Sequence, residues 1–263
     1  MDRISRALDM ARQKRGPLVS TGQREQLGKV EYNQTKVVKV DNEVLRRNKI
    51  LGGITDPRIL DAYGILRTRV LQQMRQNGWK TLGITSANSD VGKTLTSINL
   101  GISIAQDYSH SVLLVDADLR HPSVHHAFEV DVKKGLGDYL VGNITPEDIM
   151  INPGVEHFVL VPGKGGGGGT SVLLSSPRME QLVVELRERY PERFVLFDLP
   201  PVLVGDDVLA FSPNLDAVLV VVEDERTRDD ELKRAMELLD GVEVLGTVLN
   251  RSAESVKHYG YYN

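Results

Sequence analysis

The chain has 263 residues, 41% of them hydrophobic and 26% charged, with aromatics at only 5%. That length suits one large domain, or a domain with an arm, whose core must be filled by aliphatic side chains. A net charge of -4 gives no overall basic field for nucleic acid, and the lack of any cysteine excludes disulfides, thiolate metal sites and a cysteine nucleophile.

Residues 1–16 carry five Lys/Arg, and Ile4, Leu8 and Ala11 fall on one side of a short helix. Such a helix serves as a surface cap, or as a docking element for a partner or an anionic membrane surface. It has no apolar signal-peptide core, and no run in the chain approaches the roughly 18 apolar residues needed to span a bilayer. The expectation is a cytoplasmic protein. Residues 17–50 are polar and weakly patterned and read, with the first helix, as an arm (1–50) that holds a short strand at Lys36–Val40. The main domain is expected over 51–251 and a flexible tail over 252–263.

From about residue 55 the pattern changes. Leu60, Tyr63, Leu66, Val70 and Met74 recur at helical spacing. Short β-branched runs then alternate with helical segments. The predicted strands are Thr81–Thr85, Ser111–Asp116, His157–Val161, Phe194–Asp198, Ala217–Val222 and Val244–Leu249. The predicted helices include Lys93–Gln106, Pro177–Tyr190 and Arg226–Leu239. This alternation predicts an α/β fold, a mostly parallel central sheet with helices on both faces. The glycine run Gly165–Gly169 cannot pack a core and reads as a mobile loop.

The strongest motif follows the first of these strands and opens a helix. It reads Ala87-Asn88-Ser89-Asp90-Val91-Gly92-Lys93-Thr94-Leu95, a P-loop with alanine in the first glycine position. Its backbone N–H groups and the helix N-terminus suit the β-phosphate of ATP. Gly92 lets the backbone come close, Lys93 puts a charge on the β/γ oxygens, and the Thr94 hydroxyl suits Mg2+. Two further apolar strands end in carboxylates, one at Asp116 and Asp118 with Arg120 beyond, the other at Asp198 before Pro200-Pro201. Carboxyl ends of parallel strands border the ligand crevice of such sheets, and Mg2+ needs only one or two carboxylates beside phosphate oxygens and water.

These motifs, in this order, resemble the bacterial tyrosine kinases of capsular and exopolysaccharide systems, P-loop proteins unrelated in fold to eukaryotic kinases. The resemblance runs from about Asp61 to Asn250. Asp116–Pro122 is similar to the family's second Walker A-type motif, and Leu196–Asp207 to its Walker B segment. Gly135–Asn143 and Val172–Tyr190 are similar to its connecting segments, and Val244–Arg251 to its last core strand. The resemblance implies that Lys93 stabilises the transferring phosphoryl group and that Thr94, Asp116 and Asp198 hold Mg2+. It implies that Asp116 accepts or orients the tyrosyl proton, that Asp118 supports metal and loop, and that Asn250, with Arg251 beside it, contacts the nucleotide. Arg120 and Asp207 are weaker candidates. The tail tyrosines Tyr259, Tyr261 and Tyr262 would be autophosphorylated.

The implied partners are the cytoplasmic tail of a membrane polysaccharide co-polymerase, which would recruit the protein to the inner face of the membrane, and a cognate tyrosine phosphatase. Self-association is expected to be weak, because Gly64 stands where the family's motif on this helix has its middle arginine. The P-loop also departs, with Ser89-Asp90-Val91 in place of Pro-Gly-Glu. Two other functions fit a P-loop: a partition-type ATPase, disfavoured by Asn88 at the position of its signature lysine, and an ATP-bound regulator without transfer activity. The pattern G-x-G-x-x-G at Gly163–Gly168 is discounted as a dinucleotide site because no clear helix start follows it. His125 and His126 are read as solvated, since adjacent helical positions do not face one site.

Overall fold

The computed structural model describes residues 35–252 apart from Tyr108, Gly166 and Pro191. The proposed N-terminal helix and the three tail tyrosines lie outside the described residues. The strands are β1 (Lys36–Val37), β2 (Thr81–Ser86), β3 (Ser111–Asp116), β4 (Ile151–Asn152), β5 (Phe158–Val161), β6 (Arg193–Asp198), β7 (Ala217–Glu223) and β8 (Val244–Asn250). They form one sheet in the order β1-β4-β5-β3-β6-β2-β7-β8. Every pairing is parallel except that of β4 with β5.

The α-helices among the described residues are α1 (Asn42–Arg47), α2 (Pro57–Asn77), α3 (Lys93–Ala105), α4 (Val124–Ala127), α5 (Leu136–Val141), α6 (Thr170–Leu174), α7 (Pro177–Glu188), α8 (Asp207–Phe211) and α9 (Asp229–Leu238). Side chains alternate between the two faces of a strand, and β3 shows the consequence. Val112 and Leu114 enter one core with Ile98 and Ile102 of α3 and Val70 and Met74 of α2. Leu113 and Val115 enter the other, with Leu182 and Leu186 of α7 and Ala235 of α9. The central strands are buried on both faces, so β3 and β6 carry continuous apolar runs, Val112–Val115 and Phe194–Phe197, while β2 also buries Thr81, Thr85 and Ser86.

Among the described residues the expected strands and helices all occur, with ends shifted by up to three residues. Several details differ. The strand expected at Lys36–Val40 spans only Lys36–Val37, paired with β4. Residues assigned to the polar arm pack into the domain: Leu45 of α1 and Ile50 are buried in the first core. Asn99 of α3 holds that segment, accepting from Leu51 N–H at 2.9 Å and donating to the Lys49 carbonyl at 3.0 Å. Leu60, placed on the core-facing stripe of α2, is 41% exposed, because the first turn of that helix lies off the core, which Tyr63 and Leu66 border and Val70, Leu71 and Met74 enter. The segment after the glycine run does form a helix, α6, capped by Gly169 at φ +77°. His125 is buried rather than solvated, while His126 is exposed. No helix among the described residues is long and apolar enough to cross a membrane.

Candidate active site

The β2–α3 loop places the P-loop at the carboxyl edge of the sheet. Gly92 caps α3 at φ +86°, a conformation L side chains rarely adopt. A Cβ there would also lie 2.1 Å from Asn250 Nδ2, so space as well as backbone demands glycine. Asn250, the last residue of β8, donates from Nδ2 to the Val91 carbonyl at 2.8 Å. The loop and the end of β8 are therefore joined. Ala87 and Val91 are buried, Leu95 packs against the first core, and Ser89 and Asp90 are exposed. Asp90 has φ +64°.

Strand register brings the acidic residues together. β3 and β6 are neighbours, and Asp116 pairs directly with Asp198. The first residues of α3 meet them. Lys93 Nζ lies 3.1 Å from Asp198 Oδ1 and 3.5 Å from Asp118 Oδ2. The Thr94 hydroxyl donates to Asp198 Oδ2 at 2.7 Å and lies 3.0 Å from Ser123 Oγ. Ser97, one turn after Lys93, donates to Asp198 Oδ1 at 2.9 Å.

Asp116 is wholly buried. Its Oδ2 accepts from the Ser123 and Val124 N–H groups at 2.9 and 3.0 Å, while Oδ1 has no partner among the described residues. Burial first, and then the facing Asp198, push its carboxyl up to about 8. Burial also raises the Asp118 carboxyl, against the pull of Lys93. Burial draws the Lys93 ammonium down, but the Asp198 and Asp118 carboxylates outweigh it and hold it above the usual lysine value. Three carboxylates thus surround one ammonium, an arrangement with spare negative charge and one open oxygen.

Residues Thr94, Asp116 and Asp198 suit Mg2+ as donors: a hydroxyl and two carboxylates, one of them with an unpartnered oxygen. The described residues form no self-contained cage of three or more His, Asp or Glu. That fits a hard ion that takes most of its shell from phosphate and water.

The remaining candidates divide. Arg120 is turned to Asp207, with Nε 2.7 Å from Oδ2. The other oxygen of Asp207 accepts from the Thr170 hydroxyl. Arg251 donates to Glu223 Oε1 at 2.8 Å, and that hydrogen bond holds the Glu223 carboxyl below its usual range. Ser97, Thr170 and Glu223 were not singled out from sequence. Only Ser97 carried a signal, its i+4 position from Lys93 on one helix face.

Known proteins match this chain over most of its length. Residues 82–260 match the CobQ/CobB/MinD/ParA nucleotide binding domain. The tyrosine-protein kinase YwqD of Bacillus subtilis is 31% identical over 224 residues, covering 83% of this chain and 92% of that protein. The kinase domain of the Escherichia coli tyrosine kinase ETK superposes with a TM-score of 0.69 at 30% identity, over 78% of this chain and 81% of that one. The chimerical protein CapA2B2 gives a TM-score of 0.70 at 26% identity, over 88% of this chain and 98% of that one.

Proposed function

This chain belongs to the CobQ/CobB/MinD/ParA nucleotide-binding family and, within it, to the bacterial tyrosine kinases, and on that premise we propose how its residues carry phosphoryl transfer from ATP to tyrosine. The observation that supports the assignment most is the β3–β6 register, which sets Asp116 opposite Asp198 while Lys93 and Thr94 both engage Asp198.

The P-loop N–H groups cradle the phosphates of ATP, and Lys93 leaves its carboxylates to neutralise charge on the β- and γ-oxygens. Thr94, Asp198 and Asp116 would hold Mg2+, which would supply charge stabilisation during the transfer. The tyrosyl oxygen attacks the γ-phosphorus, the bond to the β,γ-bridging oxygen breaks, and ADP leaves. The tyrosyl proton passes to Asp116. Burial raises the Asp116 carboxyl to about 8, so it takes that proton only from its ionised form, which a bound Mg2+ would favour. Asp118, which accepts from His121 N–H at 3.1 Å, keeps the loop after β3 in place. Asn250 and Arg251 border the nucleotide from the end of β8.

The acceptors in this reading are Tyr259, Tyr261 and Tyr262. Tyr259 lies nine positions after Asn250, and an extended chain of that length spans about 30 Å. That reach covers a neighbour's site. The function served is regulation of capsule or exopolysaccharide synthesis and export. It is carried out in the cytoplasm at the inner face of the membrane, where the tail of a membrane co-polymerase is the partner and a tyrosine phosphatase reverses the reaction. Self-association of the chain alone is weak, since Gly64 offers no guanidinium. Mass spectrometry after incubation with ATP and Mg2+, with and without a co-polymerase tail, is the test. Phosphate on the tail tyrosines is expected; phosphate on none, or only on tyrosines of the folded domain, overturns the assignment.

A further inference from the structure

Behind the wall of the candidate active site lies a second concavity, of about 610 Å³. That is within the usual range for a small binding site. One side is Pro122 with His125 and His126, a second is the turn Glu129–Val132, and a third is Lys164 with Gly165. It is separated from Asp116 by a single layer of residues. Pro122 precedes Ser123, whose N–H holds Asp116. Gly163, next to Lys164, packs on the same wall: a Cβ there would come within 2.8 Å of the Asp116 carbonyl and 2.9 Å of Pro122 Cβ.

The chemistry of this cavity is aromatic and mixed. The His125 and His126 rings lie 4.0 Å apart, tilted by 36°. His125 is buried, its Nδ1 has no partner among the described residues, and burial, His126 and Lys164 all favour the neutral ring. Two flat imidazoles beside Pro122, Val130 and Val132 form an apolar floor; Lys164, Glu129 and Asp131 supply polar groups at its edge. Lys164 Nζ is engaged by the Val132 carbonyl, and Glu129 by Arg47 at 2.6 Å. The edge therefore offers hydrogen bonds without a strong net positive charge. A neutral, flat side chain with one polar end suits such a site, whereas a phosphate would meet two carboxylates.

We propose that this cavity is a subsite for a second tyrosine of the acceptor segment, the one two residues away from the tyrosine at Asp116; this rests on the phosphoryl-transfer reading above. The chain's own sequence contains such a pair. Tyr259 and Tyr261 are separated by Gly260, and in an extended segment residues i and i+2 face the same way, about 6.6 Å apart. In such an extended segment Tyr262 would face the opposite way. One tyrosine of the pair takes the site at Asp116 and the other lies on the His125–His126 floor. Once the flanking tyrosine carries phosphate, Asp131 at the edge of the cavity repels it, and the segment is released.

The test is equilibrium binding of a fluorescent peptide spanning Lys257–Asn263 to the ADP-loaded chain lacking that tail, read by anisotropy, alongside transfer of labelled phosphate to the same peptide. Replacing Tyr259 or Tyr261 by Ala should weaken binding about tenfold and replacement by Phe should not, in line with the worth of an aromatic pair; Tyr262→Ala should change it less than about twofold. In the protein, His126→Ala should remove the preference for Tyr or Phe over Ala while leaving ATP affinity intact. Asp131→Asn should improve binding of the peptide phosphorylated at Tyr259 or Tyr261. A His126→Ala protein that keeps the full aromatic preference, or a peptide as sensitive to Tyr262→Ala as to the others, overturns the subsite. If binding follows the predicted pattern but no phosphate is transferred, the subsite stands and the kinase assignment fails.

Discussion

The Asp116→Asn variant tests the electrostatics of the site apart from its chemistry. In the folded protein the Asp116 carboxyl is raised from the ordinary aspartate value of 3.8 to about 8, first by burial and then by Asp198. Between those values the folded protein keeps a proton that the unfolded chain gives up, so rising pH favours unfolding. One group of this kind changes stability by about 1.4 kcal/mol per pH unit, or roughly 3 kcal/mol between about pH 5 and pH 7. Asparagine keeps an oxygen to accept from the Ser123 and Val124 N–H groups but does not titrate. The wild type should therefore lose roughly 3 kcal/mol more than the variant over that interval. Asp118, raised in the same direction, contributes equally to both proteins. Urea unfolding in buffer free of Mg2+ and nucleotide measures the difference. Parallel stability curves for the two proteins would refute the reasoning, because Asp116 would then be ionised in the folded state at ordinary cost. In the loaded enzyme the same variant should keep most ATP affinity and lose most transfer to tyrosine.

Lys93→Met should lower ATP affinity at least about 100-fold and abolish transfer, since removing one partner of a buried charge pair costs about 3 kcal/mol or more; calorimetry with ATP and Mg2+ checks it, and near-normal turnover would sink the P-loop assignment. Asp207→Asn should destabilise the fold by about 1–3 kcal/mol by loosening Arg120 and the Thr170 hydroxyl from a buried acceptor. In a double-mutant cycle with Thr170→Val, the two changes should not add. Asp90→Gly should stabilise the free protein by about 1 kcal/mol, because the residue sits at φ +64° in the left-handed region. It should also tighten nucleotide binding by removing a carboxylate from the phosphate loop; unchanged or weaker binding by calorimetry would count against that charge argument.

The sequence by itself determined the alternation of strands and helices and the P-loop, because both are written in local patterns. A central parallel strand buried on two faces must be largely apolar, and the interiors of β3 (Val112–Val115) and β6 (Phe194–Phe197) are. A loop that wraps phosphate needs Gly92 before Lys93 and Thr94, and the reason is visible locally in the backbone of Gly92. Tertiary structure alone decided which distant residues meet. Asp116 faces Asp198 because β6 inserts between β2 and β3, and strand order is set by how the helices pack on the sheet. The same holds for Asp207, whose partners Arg120 and Thr170 arrive from two other segments. It also holds for Leu45 and Ile50, which sit in a polar stretch and show no period, yet are buried because α3 presents Asn99 and an apolar face to receive them. Leu60 marks the converse: spacing fixes only the side of a helix, and the first turn of α2, which holds Leu60, lies beyond the edge of the core that the later turns enter.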